Sequence, residues 1–279
     1  MDLFVLVIAI LFHQVWGDDN PLHKDAWLQK WQEKLQQRFS VSPAIEFFLV
    51  VGLPILALAI VFWLIALNSY WLLLPLGIVC LLYSFGRGEF SEIIHEYTNA
   101  CVDDDWEYAV ERANNFGVKV EGVSTNDWQS LHQHVLEQAA YRGFERMFAV
   151  LFWFFILGPV GALLYRLVFL FNQNLKSADP VAAKVLWGME WPAARVVGIS
   201  FALTGNFIGC INQWSESAMC FVRPTEETLG KSVLGALSVD DDVSQTCDVT
   251  RKELELLDGL FRRTLWLWIA AAAVVIILV

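Results

Sequence analysis

The chain alternates long apolar runs with two polar regions, and this alternation predicts helices that lie in a membrane. The apolar runs occupy residues 47–67, 70–85, 147–171, 192–211 and 265–279. An α-helix rises about 1.5 Å per residue and a hydrocarbon core is about 30 Å thick, so runs of this length cover most of a bilayer. The pattern predicts an all-α, polytopic integral membrane helical bundle with about four to six spans.

The order of the runs divides the chain into six predicted segments. These are an N-terminal apolar segment with an amphipathic helix (1–45), a transmembrane hairpin (46–85), a helical polar region (86–145), core membrane segments (146–212), an acidic polar region (213–263) and a C-terminal transmembrane helix (264–279). Residues 1–16 lack a basic start and a small-residue cleavage site. We therefore predict a retained first span or interfacial helix there, and not a signal peptide.

Arginines bracket the first polar region and end the second, and their positions predict the orientation of the protein. They stand at positions 87, 142, 146, 262 and 263, next to apolar runs. Loops beside membrane spans that are rich in arginine and lysine lie in the cytoplasm. We therefore place the polar regions 86–145 and 213–263 in the cytoplasm.

The polar region 86–145 has the pattern of three helices. We predict them over residues 90–101, over residues 105–116, and from residue 126 into the central apolar run. Asp105 can cap the second helix and Gly117 can end it, while Asp127 stands at the start of the third. Upstream, apolar residues recur at helical spacing over residues 18–43, which predicts an amphipathic helix.

The central apolar run is interrupted by a glycine–proline pair. It reads FWFFILGPVGALLYRLVFLFNQ over residues 152–173. Proline lacks an N–H and clashes with the preceding turn, so we predict a helix break at Gly158 and Pro159. Beyond the break the run contains Tyr165 and Arg166 and ends at Asn172. An arginine at the bilayer centre costs about 2.5–3.5 kcal/mol, so Arg166 should face a partner or a wet cavity.

A second polar motif, EWPAAR, follows at residues 190–195 and opens the next apolar run. We expect Arg195 to reach the same cavity as Tyr165, Arg166 and Asn172, with Glu190 nearby. Arginine binds phosphate and carboxylate groups in a bidentate manner, so these five are candidate ligand-binding residues for an anionic ligand. The alternative is that the arginines pair with Glu190 or with backbone carbonyls and only hold the bundle together.

The GPVGALLYR run and the WPAAR motif together resemble the AmpE/CobD–CbiB superfamily of bacterial inner-membrane proteins, and most of all its AmpE branch. That resemblance implies a multi-pass inner-membrane protein associated with β-lactamase regulation and with the AmpD cell-wall amidase. It also implies sensing or binding of a cytoplasmic protein partner through residues 86–145 or 213–263. Membrane lipids and an anionic cell-wall-related ligand are the other expected partners. The oligomeric state is left open.

The cobalamin-biosynthesis branch of this superfamily consists of ATP-using amide synthases. That branch carries acidic motifs before its Phe-Trp and Pro-Ala-Arg sequences, whereas this chain reads EQAAYRGFERMFAVLFW and AKVLWGMEWPAAR, with only Glu190 near the second site. The departure favours the AmpE branch and a non-enzymatic role, with no cofactor. Mg-ATP is expected only under the enzyme alternative. A transporter is a third hypothesis, because discontinuous helices mark binding sites in transporters.

Composition agrees with the membrane prediction and excludes one class of partner. The chain is 56% hydrophobic with thirteen tryptophans, and its mean hydropathy is +0.47. Its net charge of −11 belongs to the polar regions. A nucleic-acid-binding protein needs a basic stripe, so we exclude nucleic acid as a partner.

The remaining motifs carry weaker signals. Five cysteines occur without a CxxC pair, which predicts neither a disulfide framework nor a zinc site. Asp103, Asp104 and Glu107 are weak candidates for magnesium, but acids in such places are usually caps and solubilising charge, so no metal is expected. Gly230-Lys231-Ser232 lacks the first glycine of a phosphate loop, and a turn is predicted instead.

Overall fold

The computed structural model of the chain describes residues 2–16, 22–38, 42–68, 70–86, 90–118, 120, 124–174, 180–218, 223–237 and 247–278. Within these residues the secondary structure is helical and contains no strand, which confirms the all-α prediction. The helices are α1 (Asp2–Trp16), α2 (Ala26–Arg38), α3 (Pro43–Asn68), α4 (Leu73–Ser84), α5 (Phe90–Val102), α6 (Trp106–Phe116), α7 (Trp128–Gly143), α8 (Ala149–Asn174), α9 (Pro180–Thr204), α10 (Phe207–Ala218), α11 (Thr225–Leu237) and α12 (Cys247–Leu278). A 3₁₀ turn, Tyr70–Leu72, precedes α4, and a π-helical turn, Phe144–Phe148, joins α7 to α8.

The chain forms two compact units. The first contains Met1–Arg87, Arg146–Trp191 and Ile276–Val279, and the second contains Gly88–Glu145 and Pro192–Val275. Each unit is therefore assembled from separate parts of the sequence.

In the first unit, α4 packs against both α1 and α8, while α3 packs on α8 and α2 packs on α3. Helix α2 buries Leu28 and Leu35, two turns apart, as its amphipathic pattern predicted. Phe47 of α3 meets Phe171 of α8 edge to face, with their ring centroids 5.2 Å apart. This aromatic contact joins the beginning of α3 to the end of α8.

Within the described residues, two helical stretches are long and apolar enough to cross a membrane, Pro43–Leu67 and Trp128–Gln173. The most apolar 18-residue windows of these stretches have mean hydropathies of 2.9 and 2.3. In the first, only 11% of the most apolar window is buried, so side chains such as Leu56 and Ile60 point outward. Apolar surface of this extent is unfavourable in water and favourable in lipid. Length, composition and exposure together give α3 the features of a transmembrane helix.

Three of the predicted spans differ from the observed helices. Helix α4 has 12 residues, which at about 1.5 Å each give about 18 Å and fall short of a hydrocarbon core. The run 192–211 is divided, because α9 ends at Thr204 and the N–H of Asn206 donates to the carbonyl of Ala236 at 2.8 Å. Residues 265–278 continue the long helix α12, whose described part is not among the candidate spans.

The WPAAR motif lies inside a helix, and the prediction that it opens one is wrong. We expected a polar connection before it, yet α8 continues to Asn174 and α9 already begins at Pro180. A proline at the first helical position loses only an N–H that would have no helical partner, so Pro180 starts a helix readily. Pro192 then lies within α9, where one missing backbone bond is tolerated. Arg195 consequently stands in the middle of α9.

The break in α8 lies at the predicted glycine–proline pair. Gly158 has φ 67° and ψ −157°, a conformation that essentially only glycine adopts. Pro159 follows directly, and its γ-carbon lies 3.3 Å from the position that a Cβ on Gly77 of α4 would occupy. Helix α8 therefore consists of two helical halves joined at Gly158.

In the second unit, the three helices predicted for residues 86–145 are confirmed together with their caps. The Asp105 carboxylate accepts from the N–H of Tyr108 at 3.0 Å and starts α6, and Gly117 ends it in the left-handed conformation. The Asp127 carboxylate accepts from the N–H of Ser130 at 3.1 Å and starts α7. Side-chain acceptors at these positions satisfy backbone donors that the first turn of a helix leaves without partners.

Glycines allow α10 and α11 to approach at backbone distance. A Cβ on Gly209 would lie 2.5 Å from the carbonyl oxygen of Gly235, and one on Gly205 would lie 2.7 Å from that of Ala236. Only glycine fits where two helices meet this closely.

The Gly230-Lys231-Ser232 sequence is helical, so the turn predicted there is wrong. It lies in α11, which packs on α7, and both Gly230 and Ser232 are buried. A Cβ on Gly230 would lie 2.5 Å from the γ-carbon of Glu137. The close contact between α11 and α7 therefore explains why position 230 is a glycine, and a phosphate-binding role is not needed to explain it.

Candidate functional site

Two of the five candidate ligand-binding residues meet in the first unit. Tyr165 follows the break in α8 and is fully buried, and its hydroxyl donates to a carboxylate oxygen of Glu190 in α9 at 3.3 Å. Nearby, the indole N–H of Trp153 donates to the carbonyl oxygen of Met189 at 3.2 Å. Polar contacts thus connect both halves of α8 with one short stretch of α9.

Arg166 and Asn172 are also placed by short-range contacts in this unit. Arg166 is 2% exposed, and its guanidinium carbon lies 5.0 Å from the ring centroid of Phe169, within cation–π range. The Asn172 amide donates to the carbonyls of Val168 at 2.9 Å and Ala182 at 3.2 Å. Asn172 therefore ties the last turn of α8 to the first turn of α9, which is a positioning role.

Arg195 belongs to the second unit. It is 7% exposed within α9, next to buried Ala193 and Ala194. Its expected place beside the other four residues stays a prediction. Glu190, at 4% exposure, is the buried carboxylate of the first-unit group.

The acidic residues that were weak candidates for magnesium are solvent-exposed. Asp103, Asp104 and Glu107 lie between α5 and α6 or in the first turn of α6, where Asp105 is the cap. Among the residues that the structure describes, three potential metal ligands converge elsewhere, on Cys101, His132 and Cys247. A further acidic run, DDD at residues 240–242, lies outside the described residues.

The Cys101–Cys247 pair corrects the expectation of no disulfide. The two residues form a disulfide in the second unit, with their Cα atoms 5.7 Å apart. Cys101 lies near the end of α5 and Cys247 begins α12, so 146 residues of sequence separate them. Of the remaining cysteines, the two that the structure describes, Cys80 and Cys210, are free and buried.

His132 of α7 faces this pair, whereas His134 is exposed, because residues two apart lie on different faces of a helix. The Nε2 atom of His132 lies 3.6 Å from the sulfur of Cys101, and its Nδ1 atom lies 2.6 Å from the hydroxyl of Tyr97. Burial raises the pKa of the Tyr97 phenol, so the hydroxyl stays protonated. The ring of Trp128 stacks on that of His132, with centroids 5.6 Å apart.

Sequence reasoning missed the meeting of Cys101, His132 and Cys247 because these three residues share no local spacing. Each belongs to a different helix, and the nearest two along the chain, Cys101 and His132, are 31 residues apart. The only sequence signal was that His132 and Cys101 fall on the apolar faces of α7 and α5, where a polar side chain needs a partner.

Comparisons with known proteins place the chain in a family. A family model described as the regulatory signalling modulator protein AmpE matches residues 1–231. The cobalamin biosynthesis protein CobD of Stutzerimonas stutzeri (strain A1501) is 24% identical over 261 residues, which cover 86% of this chain and 82% of that protein. No solved structure matches the chain. Because the family model extends over most of the chain, including the broken helix and the WPAAR motif, the protein belongs to the AmpE family.

Proposed function

We propose that this protein is a regulatory protein of the bacterial inner membrane that acts in cell-envelope homeostasis and β-lactamase regulation. The match of the AmpE family model to residues 1–231 carries the proposal. The outward apolar face of α3 supports the membrane location. The polar regions 86–145 and 213–263 face the cytoplasm, where they bind a protein partner.

The break in α8 makes this helix an element whose arrangement a signal can change. Gly158 divides the helix, and the buried Tyr165–Glu190 hydrogen bond lies just beyond the break. A buried hydrogen bond between two helices stabilises one arrangement of them, and a ligand shifts the balance by binding one arrangement better. An anionic cell-wall-related ligand that binds Arg166 would act directly on this element.

Tyr165→Phe is expected to change the regulatory output while leaving the fold in place. The substitution keeps the ring but removes the donor to Glu190, which costs on the order of 1–3 kcal/mol for a buried acceptor. We would measure β-lactamase activity during exposure to a sub-inhibitory β-lactam, in cells that lack the gene and receive either form of it. The variant should restore induction only in part.

Tyr83→Phe is the matched control, because it also removes a tyrosine hydroxyl that donates to a carboxylate, that of Asp25 at 2.9 Å, and neither residue has a role in the proposal. This variant should restore induction fully. If loss of the gene leaves β-lactamase induction unchanged, the proposed function is wrong.

A second candidate function is ATP-dependent amide formation, favoured by the similarity to a cobalamin biosynthesis protein. A ligand present at 100 times its dissociation constant stabilises the native state by about 2.7 kcal/mol. The regulatory proposal predicts that millimolar Mg-ATP leaves the melting temperature of the detergent-purified protein unchanged. A rise in melting temperature that is absent in Arg166→Ala would instead favour the synthase.

A further inference from the structure

Three side chains with metal-binding atoms converge in the second unit. Cys101 comes from α5, His132 from α7 and Cys247 from α12, and their ligand atoms all lie within 4.8 Å of one another. We infer that these three residues, with both cysteines reduced, form a binding site for a Zn²⁺ ion.

The spacing between sulfur and nitrogen fits a zinc site. In a tetrahedral site with Zn–S of about 2.3 Å and Zn–N of about 2.0–2.1 Å, a sulfur and a nitrogen ligand lie about 3.5 Å apart. The Cys101 sulfur and the His132 Nε2 atom are separated by 3.6 Å. Two thiolates on one zinc lie about 3.8 Å apart, a distance that rotation about the Cα–Cβ bonds of an opened disulfide reaches.

The surroundings of His132 hold its ring in the orientation that a metal needs. Metal-binding histidines usually donate the N–H of their other ring nitrogen to a fixed acceptor, which sets the tautomer. Here the Nδ1 atom lies 2.6 Å from the Tyr97 oxygen, and the Nε2 atom faces the sulfurs. Trp128 stacks on the ring and Trp106 packs edge to face on Trp128. The imidazole is therefore oriented before any ion arrives.

One of the three ligands is more exposed than the other two, and this exposed side leaves a route for an ion. His132 and Cys101 are 1% and 3% exposed, whereas Cys247 is half-buried at the start of α12. A zinc ion can reach the site past Cys247. Three protein ligands leave the fourth tetrahedral position for water or for a side chain of a partner.

Whether Cys101 and Cys247 bind zinc or remain in a permanent disulfide depends on the cellular compartment that contains them. The inference therefore rests on the proposed cytoplasmic orientation of residues 86–145 and 247–263. Disulfides are rare in the cytoplasm, where converging cysteines more often bind metals or act in redox chemistry. A cellular dithiol reduces the Cys101–Cys247 disulfide to two thiols and itself becomes a disulfide. Zinc then displaces the two thiol protons and binds both thiolates.

The test measures zinc bound to the full-length protein purified in detergent with a phosphine reductant. The wild type should contain about one Zn²⁺ per chain, as a single site of three protein ligands requires. Cys101→Ser, Cys247→Ser and His132→Gln should lose that zinc. Cys80→Ser and Cys210→Ser are matched controls at free buried cysteines and should retain it. Tyr97→Phe should weaken zinc binding roughly 10- to 100-fold, as loss of a partner to a ligating histidine does.

Circular dichroism of each variant would show that loss of zinc is not loss of folding. Substituting Co²⁺ for Zn²⁺ should produce a thiolate-to-metal charge-transfer band in the wild type and not in Cys101→Ser. The inference is overturned if the reduced wild type binds zinc no better than a Cys101→Ser, Cys247→Ser double variant. It is also overturned if thiol alkylation in intact cells shows the two cysteines already joined, which would make the disulfide structural and contradict the cytoplasmic orientation. The β-lactamase experiment does not involve zinc, so failure of the regulatory proposal would be recognised separately.

Discussion

Gly235→Ala is expected to destabilise the second unit, whereas Gly259→Ala should stabilise it. A Cβ on Gly235 would lie 2.5 Å from the carbonyl oxygen and 2.8 Å from the carbonyl carbon of Gly209, and 2.9 Å from the Cα of Cys210. These are backbone atoms, which cannot rotate away, so α10 and α11 must separate. Overpacking of this kind costs about 1–3 kcal/mol, and valine at the same position should cost more.

Gly259 of α12 provides the control because a Cβ there meets no atom within 4 Å. Replacing an unhindered helical glycine by alanine gains about 0.5–1 kcal/mol. The two variants therefore share a substitution and differ in the expected sign of the change in melting temperature. Thermal unfolding of the purified protein, followed by circular dichroism, measures both. Equal shifts would show that α10 and α11 do not meet at Gly209 and Gly235.

The double variant Leu56→Arg, Ile60→Arg is expected to reduce the fraction of the protein that is inserted in the membrane. Both side chains lie on the outward apolar face of α3, with exposed fractions of 59% and 46%. Each arginine near a bilayer centre costs about 2.5–3.5 kcal/mol on insertion scales, so two together exceed the driving force of most single spans. The measurement is the fraction of protein that stays in the membrane pellet after alkaline carbonate extraction.

Asn114→Arg tests the specificity of this effect, because Asn114 is exposed on the polar helix α6. Its arginine should leave the membrane fraction unchanged. Should the double variant also stay in the pellet at the wild-type amount and remain folded, the outward face of α3 would be covered by protein and not by lipid.

Sequence determined the elements whose signals are local. Asp105, Gly117 and Asp127 start or end helices within the range of a few residues, and each does so as predicted. The Gly158–Pro159 break follows from the missing N–H of proline and the free dihedral angles of glycine, which act within one turn.

Other features depended on which helices pack together. In the sequence, Pro192 suggests the start of a helix, but the chain is already helical from Pro180. Arg195 therefore lies in the middle of α9. The run 192–211 is apolar enough to suggest a span, but it divides after Thr204, where the N–H of Asn206 donates to the carbonyl of Ala236. A hydropathy average depends only on the residues of the run itself, so it contains no information about a hydrogen bond to a distant helix.

By itself, the sequence determined that this protein is helical, that it carries an outward apolar helix, that α8 breaks at Gly158, and that it belongs with the AmpE proteins. The tertiary structure alone decided that Cys101, His132 and Cys247 meet and that Tyr165 bonds to Glu190. Local preferences act through neighbouring residues and are readable from spacing. Contacts between side chains 25 to 146 residues apart arise only when helices pack, and no spacing along the chain encodes them.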